Sequence, residues 1–472
     1  MTTSVRSAAS RCGTASLCRA AFCALLAFAS ASLAAAQTAP TPSKATMEDL
    51  RGLAPVSALS NTPAGESTLA ANLRVTGGIE TGKIHQPTLL PFKEQEQLAL
   101  ADVYTPGHDL AQLSDGLGTK LSAAYLTHFH VIDRGHDTPL APAMERLVAF
   151  SLSTTGNHSN AGKFFFGDGT TDGTVPVSPE VKAIYAEIHG SPDPFGRAYH
   201  LPAGAKGSDP YGDSRPFQTE PAFKHYSGTD YFHTPATNDE YDRGRLMDLT
   251  KNPSYPSGHT THGYTGSLIL ALLVPSRYQQ MVARGAEYGN DRILVGAHYA
   301  MDVLGGRTLA LHDMAHLLAN DPAYVKESPD GQLPPIGDFQ AAIKAARAEL
   351  TPILEAACGA KVETCAADDT GRFRHADANQ AFYEATQTYD LGVAHPETAN
   401  KVEDVAKIAP EAGYLLTTAF PGLSLEQADR ILTETEGPGG GFLDDGSNFG
   451  LYSRINLYAA AGAAAQRSAV AR

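Results

Sequence analysis

Residues 254–264 read SYPSGHTTHGY, and residues 284–303 read RGAEYGNDRILVGAHYAMDV. From His259 to Leu318 apolar residues recur at helical spacing, so this part of the chain is expected to form helices. Pro256 presets the entry to the first of them, and Ser257 supplies a capping hydroxyl. Gly258 leaves room for an anion against the free N–H groups at the helix start. His259 follows at once, placed to hand a proton to a leaving group. His298 and Asp302 are four residues apart, so on one helix they share a face. A carboxylate beside an imidazole fixes the tautomer and leaves the other ring nitrogen free to attack. Arg292 lies six residues before His298, about 120° away on an ideal helix, so a break near Gly296 is expected.

Upstream, residues 206–217 read KGSDPYGDSRPF and place Lys206 and Arg215 in a Gly/Pro/Asp-rich loop. Taken singly, each segment has an ordinary explanation: a helix start, an incidental His–Asp pair, solvated loop charges. Together they offer three cations (Lys206, Arg215, Arg292), backbone donors at Ser257 and Gly258, and two imidazoles. A tetrahedral dianion needs that kind of clamp, because charge on its equatorial oxygens must be neutralised in the transition state.

In this order the three segments resemble the signature of the type 2 phosphatidic acid phosphatase superfamily: Lys-x6-Arg-Pro, then Pro-Ser-Gly-His, then Ser-Arg-x5-His-x3-Asp. The stretches from Ser254 and from Arg284 look most like the soluble bacterial class A non-specific acid phosphatases, and the resemblance covers roughly Lys206 to Leu318. It implies a mainly α fold, a helical bundle core of the acid phosphatase/vanadium haloperoxidase type. It also implies hydrolysis of phosphate monoesters through a phosphohistidine. His298 would be the nucleophile, His259 the acid and then the base, and Asp302 the group that orients His298. Lys206, Arg215, Ser257, Gly258 and Arg292 would hold the phosphate. No metal or other cofactor is implied, although vanadate could occupy the phosphate site, and the alternative activity is that of a vanadate-dependent haloperoxidase using the same pocket. Two departures stand out. Eight residues, not six, separate Lys206 from Arg215, and Asp291 stands where the signature has Ser.

The rest of the 472 residues frames this core. Hydrophobic residues make up 42% of the chain, which excludes disorder as its overall class. Asp plus Glu outnumber Lys plus Arg by 51 to 36, and the resulting charge of −15 argues against nucleic acid as a partner. Small phosphate esters are the expected partners, with homo-oligomerisation left open. Residues 1–36 read as a secretory signal: Arg6, Arg11 and Arg19 precede an apolar run that ends in Ala34-Ala35-Ala36, so a periplasmic or secreted protein is expected. No later stretch is apolar enough for a membrane span.

Residues 37–90, rich in Ala, Thr, Pro and Ser, are expected to form an extended lead-in, residues 91–350 the helical core and residues 351–472 a C-terminal extension. Further helices are expected around Glu94–Ala101, Leu110–Thr127, Ala143–Ser153 and Phe339–Glu355, with loops and short helices from Gly156 to Thr250. Cys358 and Cys365, the two cysteines left after the signal, are expected to form a disulfide. His128 and His130 are read as packing residues before metal ligands. Asp168–Gly173 lacks the closing Glu of a calcium loop, and Gly437–Gly441 lacks the Lys of a phosphate-cradling one. His262 is expected on the same helix as His259, at the pocket mouth or on the surface.

Overall fold

Helix starts in this chain are set by hydroxyl and carboxylate caps, often with Pro at the first helical position. In the computed structural model, which describes residues 42–84, 88–104, 109–168, 179–190, 213–220, 223–238, 249 and 252–470, Ser43, Thr62, Ser257 and Asp338 each accept a backbone N–H at a helix start. The helices they and their neighbours open are α1 (Lys44–Leu53), α2 (Pro63–Glu80), α3 (Phe92–Ala101), α4 (Thr119–His128), α5 (Pro142–Asp168) and α6 (Pro179–Ile188). There follow α7 (Gly258–Leu273), α8 (Tyr278–Leu294), α9 (Ala300–Leu318), α10 (Phe339–Cys358), α11 (Val362–Ala367), α12 (Ala376–Thr388), α13 (Leu425–Glu434) and α14 (Leu457–Val470). The strands described are two short antiparallel ribbons: β1 (Val131–Asp133) with β2 (His136–Asp137), and β3 (Ser227–Thr229) with β4 (Pro235–Thr237). The fold is mainly α, as expected.

The centre of the molecule is α7, buried along almost its whole length and packed against α5, α8 and α9. Small residues permit the close approach. A Cβ on Gly263 would sit 2.3 Å from the Tyr288 ring of α8. The surrounding core draws Leu121 and Tyr125 from α4, Leu147 from α5, Met281 from α8, Leu311 from α9 and Leu350 from α10. Phe382, Leu415, Leu432, Leu451 and Ala461 belong to the same cluster, so residues beyond 351 share this core. The Cys358–Cys365 disulfide is formed, with S–S 1.96 Å, joining the end of α10 to α11. Among the described residues no helix is long and apolar enough to cross a membrane.

Three expectations are corrected. Residues 44–80 are helical, not extended: Leu50 and Leu53 of α1 and Leu69, Val75 and Ile79 of α2 are buried in a second cluster with Tyr255, Tyr299 and Phe449. Each such burial contributes roughly 1.5–3 kcal/mol, which outweighs the weak helix preference of the Thr, Ser and Gly between them. The helix begun at Pro142 does not stop near Ser153 but continues to Asp168. Ser151, Thr154 and Thr155 each return the hydroxyl to the carbonyl four residues back on the same helix, so their polarity does not break it. The stretch Leu110–Thr127 is two pieces, a 3-10 helix at Ala111–Leu117 and α4, divided at Gly118, whose φ of +88° lies in the region glycine favours. The signal-like residues 1–36 lie outside the described residues, as do residues 169–178 and 191–212, Lys206 among them.

Candidate active site

Arg215 caps a short helical turn, Pro216–Thr219, and is wholly buried. Its guanidinium is fixed by carbonyls: Nε donates to Leu249 and Asn252, Nη1 to Ala297, and Nη2 to Pro253 and the Asn252 side chain, all at 2.9–3.1 Å. Nη1 also lies 3.1 Å from His298 Nε2. Because a guanidinium has donors and no acceptor, that contact requires a lone pair on Nε2 and places the ring proton on Nδ1.

The break expected near Gly296 is present. α8 ends at Leu294, Gly296 turns with φ +69°, and α9 begins at Ala300. The turn is closely packed, since a Cβ on Gly296 would lie 2.0 Å from the Phe223 ring. His298 therefore precedes α9 and does not share a helical face with Asp302. Asp302 sits in the first turn and accepts the Tyr299 N–H at 2.8 Å, and the His–Asp pair meets through this cap. His298 Nδ1 is 3.4 Å from Asp302 Oδ2 and 3.2 Å from Ser254 Oγ, and Ser254 Oγ donates to Asp302 Oδ2 at 2.5 Å. Ser254 thus relays between the two, a role the sequence reading did not assign. Burial is the main cause that pushes Asp302 up to about 6.

Ser257 caps α7 as read from sequence: its hydroxyl accepts the Thr260 N–H at 3.2 Å. The turn before it is pinned to α9 by the Ser257 N–H on the Asp302 carbonyl, 3.0 Å. Gly306 permits that approach, because a Cβ there would meet the Ser257 carbonyl oxygen at 2.4 Å. Gly258 and His259 open α7 with N–H groups free of intrahelical partners, where the helix dipole favours an anion. The His259 and His298 rings face this same space, their centroids 6.4 Å apart.

Arg292, near the end of α8, completes the wall. It is 2% exposed, its guanidinium lies 4.7 Å from the Tyr288 ring centroid, and its Nε and Nη2 have no hydrogen-bond partner among the described residues. That edge is the one a guanidinium offers to an oxoanion in bidentate fashion. Asp291 turns the other way. Its carboxyl accepts Gln95 Nε2 at 2.9 Å, and burial beside Asp102 and Glu287 holds it well above the usual carboxylate range.

A cation absent from the sequence reading enters from α5. Lys163, 4% exposed, donates to Asn252 Oδ1 at 2.9 Å and to the Pro253 carbonyl at 3.0 Å, two acceptors it shares with Arg215. Its Cε would lie 3.5 Å from a Cβ on Gly258, which places it beside the start of α7. Burial, then the nearby Arg215, pushes its ammonium down to about 7. Lys206, the expected partner of Arg215, is outside the described residues. Burial and the cations Arg215, Arg292 and Lys163 hold both His259 and His298 well below the ordinary imidazole range. Both rings are neutral near pH 7, and the whole seat is short of negative charge. His262, half-buried on α7, adds to the field on His259.

Comparison with known proteins agrees with this geometry. Residues 209–319 match the family described as PAP2 superfamily. The chain is 42% identical over 78 residues to a non-specific acid phosphatase of Salmonella typhimurium, covering 16% of this chain and 31% of that one. It is 45% identical over 69 residues to an acid phosphatase of Zymomonas mobilis, 15% and 26% of the two chains. It is 35% identical over 96 residues to a non-specific acid phosphatase of Providencia stuartii, 20% and 37%. The chain thus spans about a third of the length of these relatives. Lys163 lies outside the matched stretch, whereas Arg215, Ser257, His259, Arg292, His298 and Asp302 all lie inside it. The part of the chain that is similar to the PAP2 superfamily is residues 209–319.

Proposed function

We propose that this protein is an acid phosphatase that hydrolyses phosphate monoesters through a phosphohistidine on His298. The observation that carries the reading is the meeting of two neutral imidazoles, His298 buried and His259 half-buried, at one seat walled by Arg215, Arg292, Lys163 and the first N–H groups of α7. In the first step the His298 Nε2 lone pair attacks phosphorus, the ester P–O bond breaks, and protonated His259 gives its proton to the departing alkoxide. In the second, neutral His259 takes a proton from water and the water oxygen attacks phosphorus. The P–N bond then breaks and its electron pair returns to Nε2. Asp302, through Ser254, keeps the proton on Nδ1 and stabilises the ring as it becomes cationic. The three basic side chains offset the charge on the equatorial oxygens, the service a metal ion gives in other phosphatases. Export to the periplasm belongs to the same proposal, supported by the N-terminal pattern and by a disulfide suited to an oxidising compartment.

The test is phosphate release from p-nitrophenyl phosphate by the purified protein with no metal added. Release is the expected result. Absence of release, with bromide oxidation by peroxide after vanadate loading, would favour a haloperoxidase and overturn the proposal. The pH dependence follows from the site. His259 must start protonated but is held low by burial and by three cations, so kcat/KM is expected to fall as pH rises from acidic values. A bound phosphate dianion offsets those cations and shifts that fall upward in the complex, which a comparison of kcat with kcat/KM profiles will show.

Lys163 adds a cation to the clamp beside Arg215. Lys163→Met is expected to lower kcat/KM by about 10²-fold, comparable to removing one oxyanion donor elsewhere. Its ammonium is charged below about 7 and neutral above, so sulfate, which keeps its double charge throughout, should inhibit progressively less well from pH 5.5 to 8. In Lys163→Met that part of the pH dependence should vanish. An unchanged sulfate profile would remove Lys163 from the clamp.

A further inference from the structure

Along the core from the anion seat, α1, α5 and α9 bring a second group of ionisable side chains together. Asp49 of α1 and Asp313 of α9 are wholly buried, and His158 of α5 and His312 of α9 are nearly so. Their donor atoms converge. His158 Nδ1 lies 2.7 Å from Asp49 Oδ2 and 3.0 Å from Asp313 Oδ1. His312 Nδ1 lies 2.9 Å from Asp49 Oδ1 and 3.8 Å from Asp313 Oδ1. One donor atom from each of Asp49, His158 and Asp313 falls within 4.8 Å of the others.

Two features point past a set of hydrogen bonds. The first is charge: two buried carboxylates require compensation, and among the described residues the ion pairs they form are all with imidazoles, none with Lys or Arg. The second is alignment. His158 Nδ1 is aligned for hydrogen bonds with both Asp313 oxygens, at 3.0 Å each, whereas both Asp49 oxygens and His312 Nδ1 lack a hydrogen bond, although nitrogen and oxygen approach to 2.7 and 2.9 Å there. At Asp49 and His312, atoms held close but out of line with one another are what ligands of a shared cation present, because each directs its lone pair at the ion and not at its neighbour.

We propose that Asp49, His158 and Asp313, with His312 on their open side, form a binding site for one divalent transition-metal ion of the zinc type. Bonds of about 2.0–2.2 Å set neighbouring ligands of a tetrahedral ion roughly 3.3 Å apart, and the separations here bracket that figure. Mixed imidazole and carboxylate donors suit zinc or manganese better than calcium or magnesium, which favour all-oxygen sets. With a divalent ion and neutral imidazoles, the two carboxylates are compensated in full. A groove of about 500 Å³, lined in part by Glu48, Arg51, His312, His316 and Phe449, gives the ion a way in at His312. Asp313 lies eleven residues after Asp302 on α9, about 16 Å along the axis, so the ion takes no part in chemistry at the anion seat. It ties α1 to α5 and α9, and this assignment does not rest on the phosphatase reading.

The experiment is metal analysis of the untagged full chain after incubation with Zn²⁺ or Mn²⁺ and removal of excess ion by gel filtration. About one ion per chain is expected, with a melting temperature that falls by several degrees on chelation and recovers on readdition. Asp313→Asn and His158→Gln should each retain less than a tenth of that occupancy, and His128→Gln, an exposed imidazole elsewhere, should retain all of it. Co²⁺ in place of zinc should give a visible absorption band in the wild-type chain, a readout that stands even where a variant folds poorly. A wild-type chain that retains no ion and shows no Co²⁺ band would overturn the proposal and leave protons on the two rings as the compensating charge. Full occupancy in both variants would overturn it equally.

Discussion

His298→Ala is expected to abolish phosphate release, with kcat falling at least about 10⁴-fold, the scale on which removal of a covalent nucleophile is felt. The argument rests on position. Nε2 carries the lone pair because the proton is drawn to the Nδ1 side by Ser254 and Asp302, and that lone pair accepts from the Arg215 guanidinium at 3.1 Å until phosphorus replaces the contact. No other imidazole described has a carboxylate behind one nitrogen and the clamp in front of the other. The ring is wholly buried, so truncation leaves a cavity. His298→Asn, which fills more of that space, is the companion variant, and both should keep a cooperative thermal transition. Activity within tenfold of wild type in either folded variant would remove His298 from the nucleophile role.

The second large effect separates the two imidazoles. His259→Ala removes the group that protonates the leaving alkoxide and later activates water, and a positioned acid or base is worth roughly 10²–10⁴-fold. The first step should suffer most for alkyl phosphates, whose alkoxides need the proton, and least for p-nitrophenyl phosphate, whose phenolate leaves without it. The ratio of kcat/KM for the two substrates is therefore expected to change by at least about tenfold in the variant. The second step needs the base whatever the substrate, so phosphoenzyme should accumulate. Equal losses on both substrates, with no accumulation, would mean that His259 binds the anion without moving a proton.

Much of this site was legible in the sequence because it is built from local rules. Pro256-Ser257-Gly258 announces a capped helix start, and Ser257 does cap α7. The count from Arg292 to His298 demands a break, and Gly296 provides it with a positive φ. The His298–Asp302 spacing identified the right pair by the wrong geometry: four residues suggested one helical face, whereas the pair joins across a helix start with Ser254 between them. Lys163 was not legible, because nothing in its own neighbourhood marks it. It comes from the far half of a helix whose Gly156 and hydroxyl residues read as a terminus, and only the packing of α5 against α7 carries it to Arg215. For the same reason Asp49, His158 and Asp313 give no motif: three helices supply them from distant parts of the chain. The helices of residues 44–80 were hidden by composition, since small and hydroxyl residues dilute the few apolar side chains that dock them.

The most direct measurement is rapid-quench trapping with a phosphate monoester followed by mass spectrometry of the digested chain. One phosphoryl group per chain, on His298, labile in acid and stable in alkali, formed fast enough to lie on the turnover path and lost in His298→Asn, is the predicted result. Turnover with no phosphoenzyme at any time, or a phosphoryl group on a different residue, would contradict it.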